Sequence, residues 1–130
     1  MEFLSLGKRS SRIRFDSDIV LAEEWAVIAG VQPIDLKDDS VPLPEGIDGQ
    51  TRKVLTNLAL LLEGGRLRKT DIVSVRVALV DLPRLYDRMN LVYIEFFPPD
   101  CLPARSCIGV SALARGALVE MDFLVRRVAR

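Results

Sequence analysis

Short runs of apolar residues near the start of the chain, separated by polar residues, predict β-strands. Two apolar runs, Ile19–Leu21 and Trp25–Ala29, are separated by a pair of glutamates. This arrangement predicts a β-hairpin that ends at Gly30. Residues 32–44 contain several prolines and an acidic pair, so they are predicted to form a loop.

Two later segments have the apolar spacing of amphipathic helices. The first helix is predicted from Gly49 to about Glu63, where a pair of glycines indicates its end. Asp81 is predicted to be the N-cap of the second helix, with Pro83 in its first turn. That helix is predicted to end at Pro98–Pro99, because proline cannot continue a helix.

Three further segments predict β-strands. Ala104–Val110 and Ala117–Arg126 are predicted to be joined by a turn near Arg115–Gly116. Asp71–Val80 alternates, and one face of this strand is expected to carry Val73, Val75, Val77 and Leu79. The resulting order of strand, strand, helix, strand, helix, strand, strand predicts an α+β fold, with a mixed sheet and both helices on one face. At 130 residues, the chain is predicted to be a single domain.

Alternation along the last two strands predicts which side chains share a face. In Ala104–Val110, the residues Arg105, Cys107 and Gly109 point one way, and the other set is the more apolar. We therefore expect Arg105 to point away from the helices, as Glu120 and Asp122 do in the last strand. The same face carries Ala78, Val80, Leu118 and Leu124. A sheet face this apolar predicts a homo-oligomer.

Composition limits the function further. Lysine plus arginine equals aspartate plus glutamate at 18 each, so we do not expect a nucleic acid partner. No stretch is as apolar and long as a membrane span, and the N-terminus lacks the order of a signal peptide. We therefore expect a cytoplasmic protein without a membrane partner.

The chain contains no histidine and only two cysteines, Cys101 and Cys107. These facts exclude a catalytic system that needs histidine, and we expect no bound metal. Reduced thiols are expected in the cytoplasm. Arg105 and Glu120 offer the most complete remaining chemistry, since an arginine binds a carboxylate at two points and a glutamate can transfer a proton. The simpler alternative is a salt bridge from Arg105 to Glu120 or Asp122, either between strands or at an interface.

The residues around Arg105 also resemble a known family, from about Asp16 to Val125. The segment Pro103-Ala104-Arg105-Ser106-Cys107 is followed by Glu120, as in the RidA family, also called YjgF or L-PSP. Further matching positions are Gly30, Gln50, Asn57, Asp71-Ile72-Val73, Asp81-Leu82, Asn90, Tyr93 and Phe96-Phe97. The chain is therefore identified as a single RidA-like domain, residues 1–130, in which residues 1–15 form a variable N-terminal segment.

The resemblance implies a chorismate-mutase-like subunit in a homotrimer with clefts between neighbouring subunits. It implies hydrolysis of reactive enamines and imines, such as 2-aminoacrylate, to 2-keto acids and ammonia, without a metal or organic cofactor. Arg105 is expected to hold the carboxylate of a small substrate, and Glu120 to activate water. Cys107 is expected to line the cleft, with Ala29, Gly30 and Asn90 as further substrate-binding residues.

Some positions depart from the family. Asp16 stands where the family has a tyrosine, and Ala29 replaces a serine. The glutamine that often follows the glycine has either moved or become Val31, with Gln32 next in the chain. These changes leave the substrate open. Two alternatives therefore remain, a deaminase for another substrate on the same scaffold and a non-catalytic protein that binds keto acids. The ribonuclease label of some relatives has little support, because the chain has no histidine and no basic stripe with interleaved aromatic residues.

Overall fold

The computed structural model describes residues 1–6 and 15–128. It contains the predicted elements in the predicted order and adds a strand, β1 (Glu2–Leu4), within the segment expected to vary. The strands are β2 (Ile19–Ala22), β3 (Trp25–Val31), β4 (Ile72–Val80), β5 (Ala104–Val110) and β6 (Val119–Arg126). The helices are α1 (Gly46–Gly64) and α2 (Leu82–Phe96), and short 3₁₀ turns precede β4 and β6.

The fold is α+β, with a mixed sheet in the order β1-β2-β3-β6-β4-β5. β4 and β5 are parallel, because α2 crosses between them, and the other neighbouring strands are antiparallel. β6 therefore lies in the interior of the sheet and β5 at its edge. In the described part of the chain, no helix is long and apolar enough to cross a membrane.

Both helices pack on one face of the sheet and bury one continuous core. The core includes Leu58 and Met89 of the helices and Val77, Met121 and Val125 of the strands, all fully buried. The helices are also joined at their solvent side. Two nitrogens of Arg88 on α2 donate to the carboxylate of Asp48 on α1, at 3.1 and 2.6 Å.

The other sheet face, called the open face here, carries no helix. It presents Trp25, Val27, Ala78, Ile108, Glu120, Asp122 and Leu124. Val27 and Ile108 remain 44% and 43% exposed, so part of this face is apolar surface in contact with solvent. This agrees with the prediction that the helices leave one sheet face uncovered.

Two predicted strand faces were wrong. Val73 was expected to share a face with Val75 and Val77, which are buried, but a register shift between Ile72 and Ser74 leaves it exposed and buries Ile72 instead. In β5, the apolar set was expected in the core, yet Ile108 is exposed and Cys107 packs against the core. β5 is an edge strand whose orientation is fixed by its register with β4, and there Val77 pairs with Cys107.

Asp81 does occupy the N-cap position of α2, as predicted, and Pro83 lies in the first turn. Its side chain makes no capping hydrogen bond, because Asp81 adopts a left-handed backbone conformation. The carboxylate accepts a hydrogen bond from Arg84 instead. α1 begins three residues earlier than the predicted Gly49, at Gly46.

Candidate functional site

Arg105 lies on the helix side of the edge strand β5, against aromatic residues of α2. Its guanidinium carbon is 4.6 Å from the ring centroid of Tyr93 and 5.8 Å from that of Tyr86. One guanidinium nitrogen also donates to the Tyr86 hydroxyl at 3.3 Å. Aromatic rings attract a cation over their faces, so the two tyrosines hold the guanidinium in place without neutralising its charge.

The groove beside this arginine, called the Arg105 groove here, has a volume of about 430 Å³. It is lined by Asn90, Leu91, Tyr93, Ile94, Leu102, Pro103 and Arg105. Arg105 makes no ion pair with any residue that the structure describes. An unneutralised guanidinium at the wall of a largely apolar groove is a suitable anchor for an organic acid.

Two other predicted site residues lie near Arg105. Asn90 lines the same groove, and its side-chain oxygen is buried without a hydrogen-bond partner in the described structure. Cys107 follows two residues later on the same side of β5. Burial raises the pKa of the Cys107 thiol, although the charge of Arg105 acts in the opposite direction. The thiol is therefore protonated at neutral pH, a state unsuited to nucleophilic attack.

Tyr93 is 5% exposed, and its hydroxyl has no hydrogen-bond partner among the described residues. Burial raises the pKa of Tyr93 to about 12, against a smaller lowering effect of the Arg105 charge. The ring is thus neutral under ordinary conditions. It supports Arg105 as an aromatic surface and not as a counter-ion.

Glu120 lies on the open face of β6, within a second polar cluster. The side-chain nitrogen of Gln32 donates to Glu120 Oε1 at 3.0 Å and to the carbonyl oxygen of Ala114 at 3.1 Å. A guanidinium nitrogen of Arg115 donates to the side-chain oxygen of Gln32 at 3.3 Å. Arg115 also lies 3.9 Å from the carboxylate of Asp39, whose side chain is nearly buried. The buried side-chain amide of Gln32 thus lies between two charged residues, Glu120 and Arg115.

A bulge in β3 shapes the same region. Gly30 has a φ of +67°, which favours glycine, and the register of β3 against β6 shifts between Ile28 and Val31. The Gly30 N–H donates to Asp122 Oδ1 at 2.7 Å. Asp122 therefore stabilises the bulge. Ala29 and Gly30 line a small cavity of about 30 Å³ together with Asp16 and Gln32.

The structure corrects one central expectation. Arg105 is in register with Val75 and Phe123 of the buried sheet face, whereas Glu120 is in register with Ala78 on the open face. Neighbouring residues of paired strands point to the same side, so Arg105 and Glu120 point to opposite faces. An ion pair from Arg105 to Glu120 or Asp122 within one chain is thereby excluded.

The predicted site residues thus form two groups in one chain. Arg105, Cys107 and Asn90 lie on the helix side near α2, and Ala29, Gly30 and Glu120 lie around the β3 bulge. The sequence interpretation missed the support of Arg105 by Tyr86 and Tyr93. Their spacing with Asn90, four and then three residues, places all three on one face of α2 and was the available signal.

The described residues contain no cluster of three or more histidine, cysteine, aspartate or glutamate side chains suited to hold a metal ion. The side chains of the two groups can bind an anion through a guanidinium, transfer a proton through a carboxylate and form hydrogen bonds through amides and hydroxyls. Such groups suffice for the addition of water to an activated double bond.

Comparisons with known proteins agree on one family. The family "Endoribonuclease L-PSP" matches residues 9–127. A RutC family protein of Pyrococcus horikoshii is 35% identical over 108 residues, covering 83% of each chain. A 2-iminobutanoate/2-iminopropanoate deaminase of Bos taurus is 27% identical over 123 residues, covering 95% of this chain and 88% of that protein. The crystal structure of YyfA from Yersinia pestis, a protein of unknown function in the conserved Rid family, superposes with a TM-score of 0.85. Its identity is 28%, and the match covers 96% of this chain and 98% of that chain.

Proposed function

The chain belongs to the L-PSP endoribonuclease family, also called the RidA or YjgF family, and from this membership we propose that it is an imine deaminase. Its reaction is the hydrolysis of reactive enamines and imines of the 2-aminoacrylate type to 2-keto acids and ammonia. The bovine relative named as a 2-iminobutanoate/2-iminopropanoate deaminase supports this reaction class.

The observation that carries the proposal is the state of Arg105. Its guanidinium is half-buried on the Tyr93 ring, makes no ion pair in the described residues and borders the Arg105 groove. A 2-imino acid brings a carboxylate that matches this cation in two-point geometry. A hydrogen bond to a charged group contributes about 1.5–3 kcal/mol, which is enough to orient a small acid.

Glu120 supplies the second part of the reaction. We propose that its carboxylate takes a proton from a water molecule whose oxygen forms a bond to the imine carbon. The same proton then goes to the nitrogen, which gives a carbinolamine. Glu120 next moves the hydroxyl proton of this intermediate to the nitrogen, the carbon–oxygen double bond forms as the carbon–nitrogen bond breaks, and the products are a keto acid and ammonia. A positioned acid–base group contributes roughly 10²–10⁴-fold, a suitable gain because enamines and imines also hydrolyse in water unaided.

Because Arg105 and Glu120 point to opposite faces of the sheet in one chain, a site that uses both must lie between two copies. We propose a homotrimer of chorismate-mutase-like subunits, with Arg105 from one copy and Glu120 from its neighbour. The exposed apolar residues of the open face, including Val27 and Ile108, support an assembly that covers this face. The number of three copies comes from the family resemblance.

One observation favours a deaminase for another substrate as the second candidate. Asp16 and Ala29 line the small cavity together with Gly30. Asp16 stands where the family has a tyrosine, and Ala29 stands where it has a serine. A carboxylate in this position repels a second negative charge and removes an aromatic wall. The accepted imines are then those whose side chain carries no negative charge.

The test is the release of ammonia or keto acid from 2-aminoacrylate that a dehydratase generates in place. We expect the protein to accelerate release and Arg105→Ala to lose this acceleration. Arg84→Ala, which removes an exposed arginine of α2 that pairs with Asp81, is the matched control and should remain active. Acceleration that survives in a folded Arg105→Ala would reject the assignment. Tight binding of a keto acid without turnover would identify the non-catalytic binding protein instead.

A further inference from the structure

Gln32 is a polar residue in a buried place. Its exposure is 5%, and every polar group of its side chain is used. The nitrogen donates to Glu120 Oε1 and to the Ala114 carbonyl oxygen, and the oxygen accepts from Arg115. A buried amide with all of its hydrogen bonds satisfied has a fixed orientation, because any rotation leaves a polar group unpaired.

The position of Gln32 follows from the bulge at Gly30. After the register shift, Val31, the last residue of β3, pairs with Met121. The residue that follows the strand, Gln32, therefore comes beside Glu120. The Gln32 main-chain oxygen accepts a hydrogen bond of 2.9 Å from the buried side chain of Asn57 on α1. Both the backbone and the side chain of Gln32 are therefore fixed beside Glu120.

We propose that Gln32 is a positioning residue for Glu120 in imine hydrolysis, an inference that rests on the proposed function. The Gln32 amide holds Oε1 of the carboxylate. The other oxygen, Oε2, accepts no hydrogen bond from a described residue and is directed to the attacking water. Arg115 polarises the amide from its other end, since hydrogen bonds in series strengthen one another.

The hydrogen bond from Gln32 restricts the rotamers of the Glu120 side chain before the substrate binds. A free glutamate populates several rotamers, and ordering it during the reaction costs conformational entropy. A carboxylate that is already oriented avoids this cost in the transition state. Gln32 should thus affect kcat and leave substrate binding by Arg105 unchanged.

A double-mutant cycle tests this role. Gln32→Met keeps the length of the side chain and removes the amide. We expect it to lower kcat about tenfold and to change KM less than about twofold, as for a lost hydrogen bond to a charged group. The double variant Gln32→Met/Glu120→Gln should be no slower than Glu120→Gln alone, because Gln32 acts through Glu120.

Gln50 provides the matched control. It is equally buried at 5%, and its amide also bridges two segments, with bonds to the Pro44 carbonyl oxygen and the Leu118 N–H. Its side chain makes no hydrogen bond to Glu120 in the described structure. Gln50→Met should lower the free energy of unfolding and combine additively with Glu120→Gln in kcat. If Gln32→Met is also additive with Glu120→Gln, Gln32 is structural and the proposal is wrong.

A spectroscopic measurement separates this inference from the proposed function. The side-chain amide signal of Gln32, identified by its absence in Gln32→Met, should move in the NMR spectrum of Glu120→Gln because its acceptor has lost its charge. An unmoved signal in a folded Glu120→Gln overturns the positioning role even where the protein hydrolyses imines. A wild type without imine hydrolysis rejects the proposed function, and the NMR signal still decides whether Gln32 holds Glu120.

Discussion

Arg105 and Glu120 lie on opposite faces of one sheet, Arg105 in register with buried Val75 and Glu120 with Ala78 on the open face. No rotamer change brings both side chains into one cavity of the same chain, since the sheet itself lies between them. The catalytic proposal therefore requires a second copy, and this requirement can be tested directly.

Variants of the two residues should complement each other. Arg105→Ala is expected to lose the acceleration, and Glu120→Gln is expected to be slower than wild type by the roughly 10²–10⁴-fold of a lost acid–base group. When the two are unfolded together and reassembled in equal amounts, about a quarter of the sites should contain both native residues. Ammonia release should then recover to about that fraction of wild type. Absence of recovery in mixed trimers of confirmed composition would place both residues of a site in one copy.

Tyr93 should contribute through its ring. Its hydroxyl is buried without a partner in the described structure, so Tyr93→Phe should leave the free energy of unfolding unchanged or raise it by up to about 1 kcal/mol. Tyr93→Leu removes a cation–π contact worth about 0.5–2 kcal/mol and should raise KM, because Arg105 loses its support. Urea unfolding and steady-state kinetics on the two variants check this. A larger kinetic defect in Tyr93→Phe than in Tyr93→Leu would assign the role to the hydroxyl.

Ionisation of Tyr93 should also lower the stability of the protein at alkaline pH. Its pKa rises from 10.0 to about 12 on folding, so the folded state favours the protonated ring. The associated stabilisation is fully present below pH 10 and is lost as the pH rises towards 12. Tyrosinate absorbance should show an ionisation near pH 12 that is absent in Tyr93→Phe. Ionisation of every tyrosine near pH 10 in the folded protein would contradict this.

Cys107 should be dispensable for catalysis. Because burial raises the pKa of its thiol, the reactive thiolate is scarce at neutral pH. Cys107→Ser should keep kcat/KM within about threefold of wild type, and iodoacetamide should modify the thiol slowly at pH 7. Cys101→Ser is the control for general effects of thiol removal. Loss of activity in Cys107→Ser, with Cys101→Ser active, would indicate nucleophilic catalysis.

The Asp48–Arg88 pair should stabilise the helices in a pH-dependent way. The hydrogen bonds from Arg88 lower the pKa of Asp48, so the stabilisation is present above the ordinary aspartate pKa of about 4. It is lost as the pH falls and Asp48 becomes protonated. Arg88→Ala should therefore be less stable than wild type at pH 7, and the difference should shrink in acid. The pair is exposed, so high salt should reduce the difference. An equal difference at pH 7 and in acid would show that packing, and not charge, is responsible.

The secondary structure was predictable from short-range patterns. The helical spacing before Gly64 and Gly65, and the hairpin around Glu23 and Glu24, depend on residues near in sequence. The spacing of apolar residues, together with the glycines and prolines that end an element, determines such helices and strands, because their backbone geometry is local. The same reasoning placed Glu120 and Asp122 on the open face, since the buried residues of β6 alternate regularly with them.

The face of β5 was not predictable in this way. Ile108 and Val110 suggested the core, but the strand turns Gly109 towards Leu82, where an added Cβ would lie 3.4 Å from the Leu82 side chain. α2 thus packs so closely on that side of β5 that only a small residue fits at position 109. Arg105 lies on the same side because its guanidinium stacks on the tyrosines of α2. Alternation along a strand shows which residues share a face, but it does not show which of the two faces is buried. Only the element that packs against the strand decides this.

The order of elements, the α+β class and the residues with useful chemistry follow from the amino-acid sequence alone, because they depend on local spacing and side-chain type. Which of these residues come into contact depends on the folded chain. The Gly30 bulge brings Gln32 to Glu120, the aromatic residues of α2 hold Arg105, and the sheet keeps Arg105 and Glu120 apart. Such contacts depend on register and on packing between segments distant in the chain, which no local pattern of residues records.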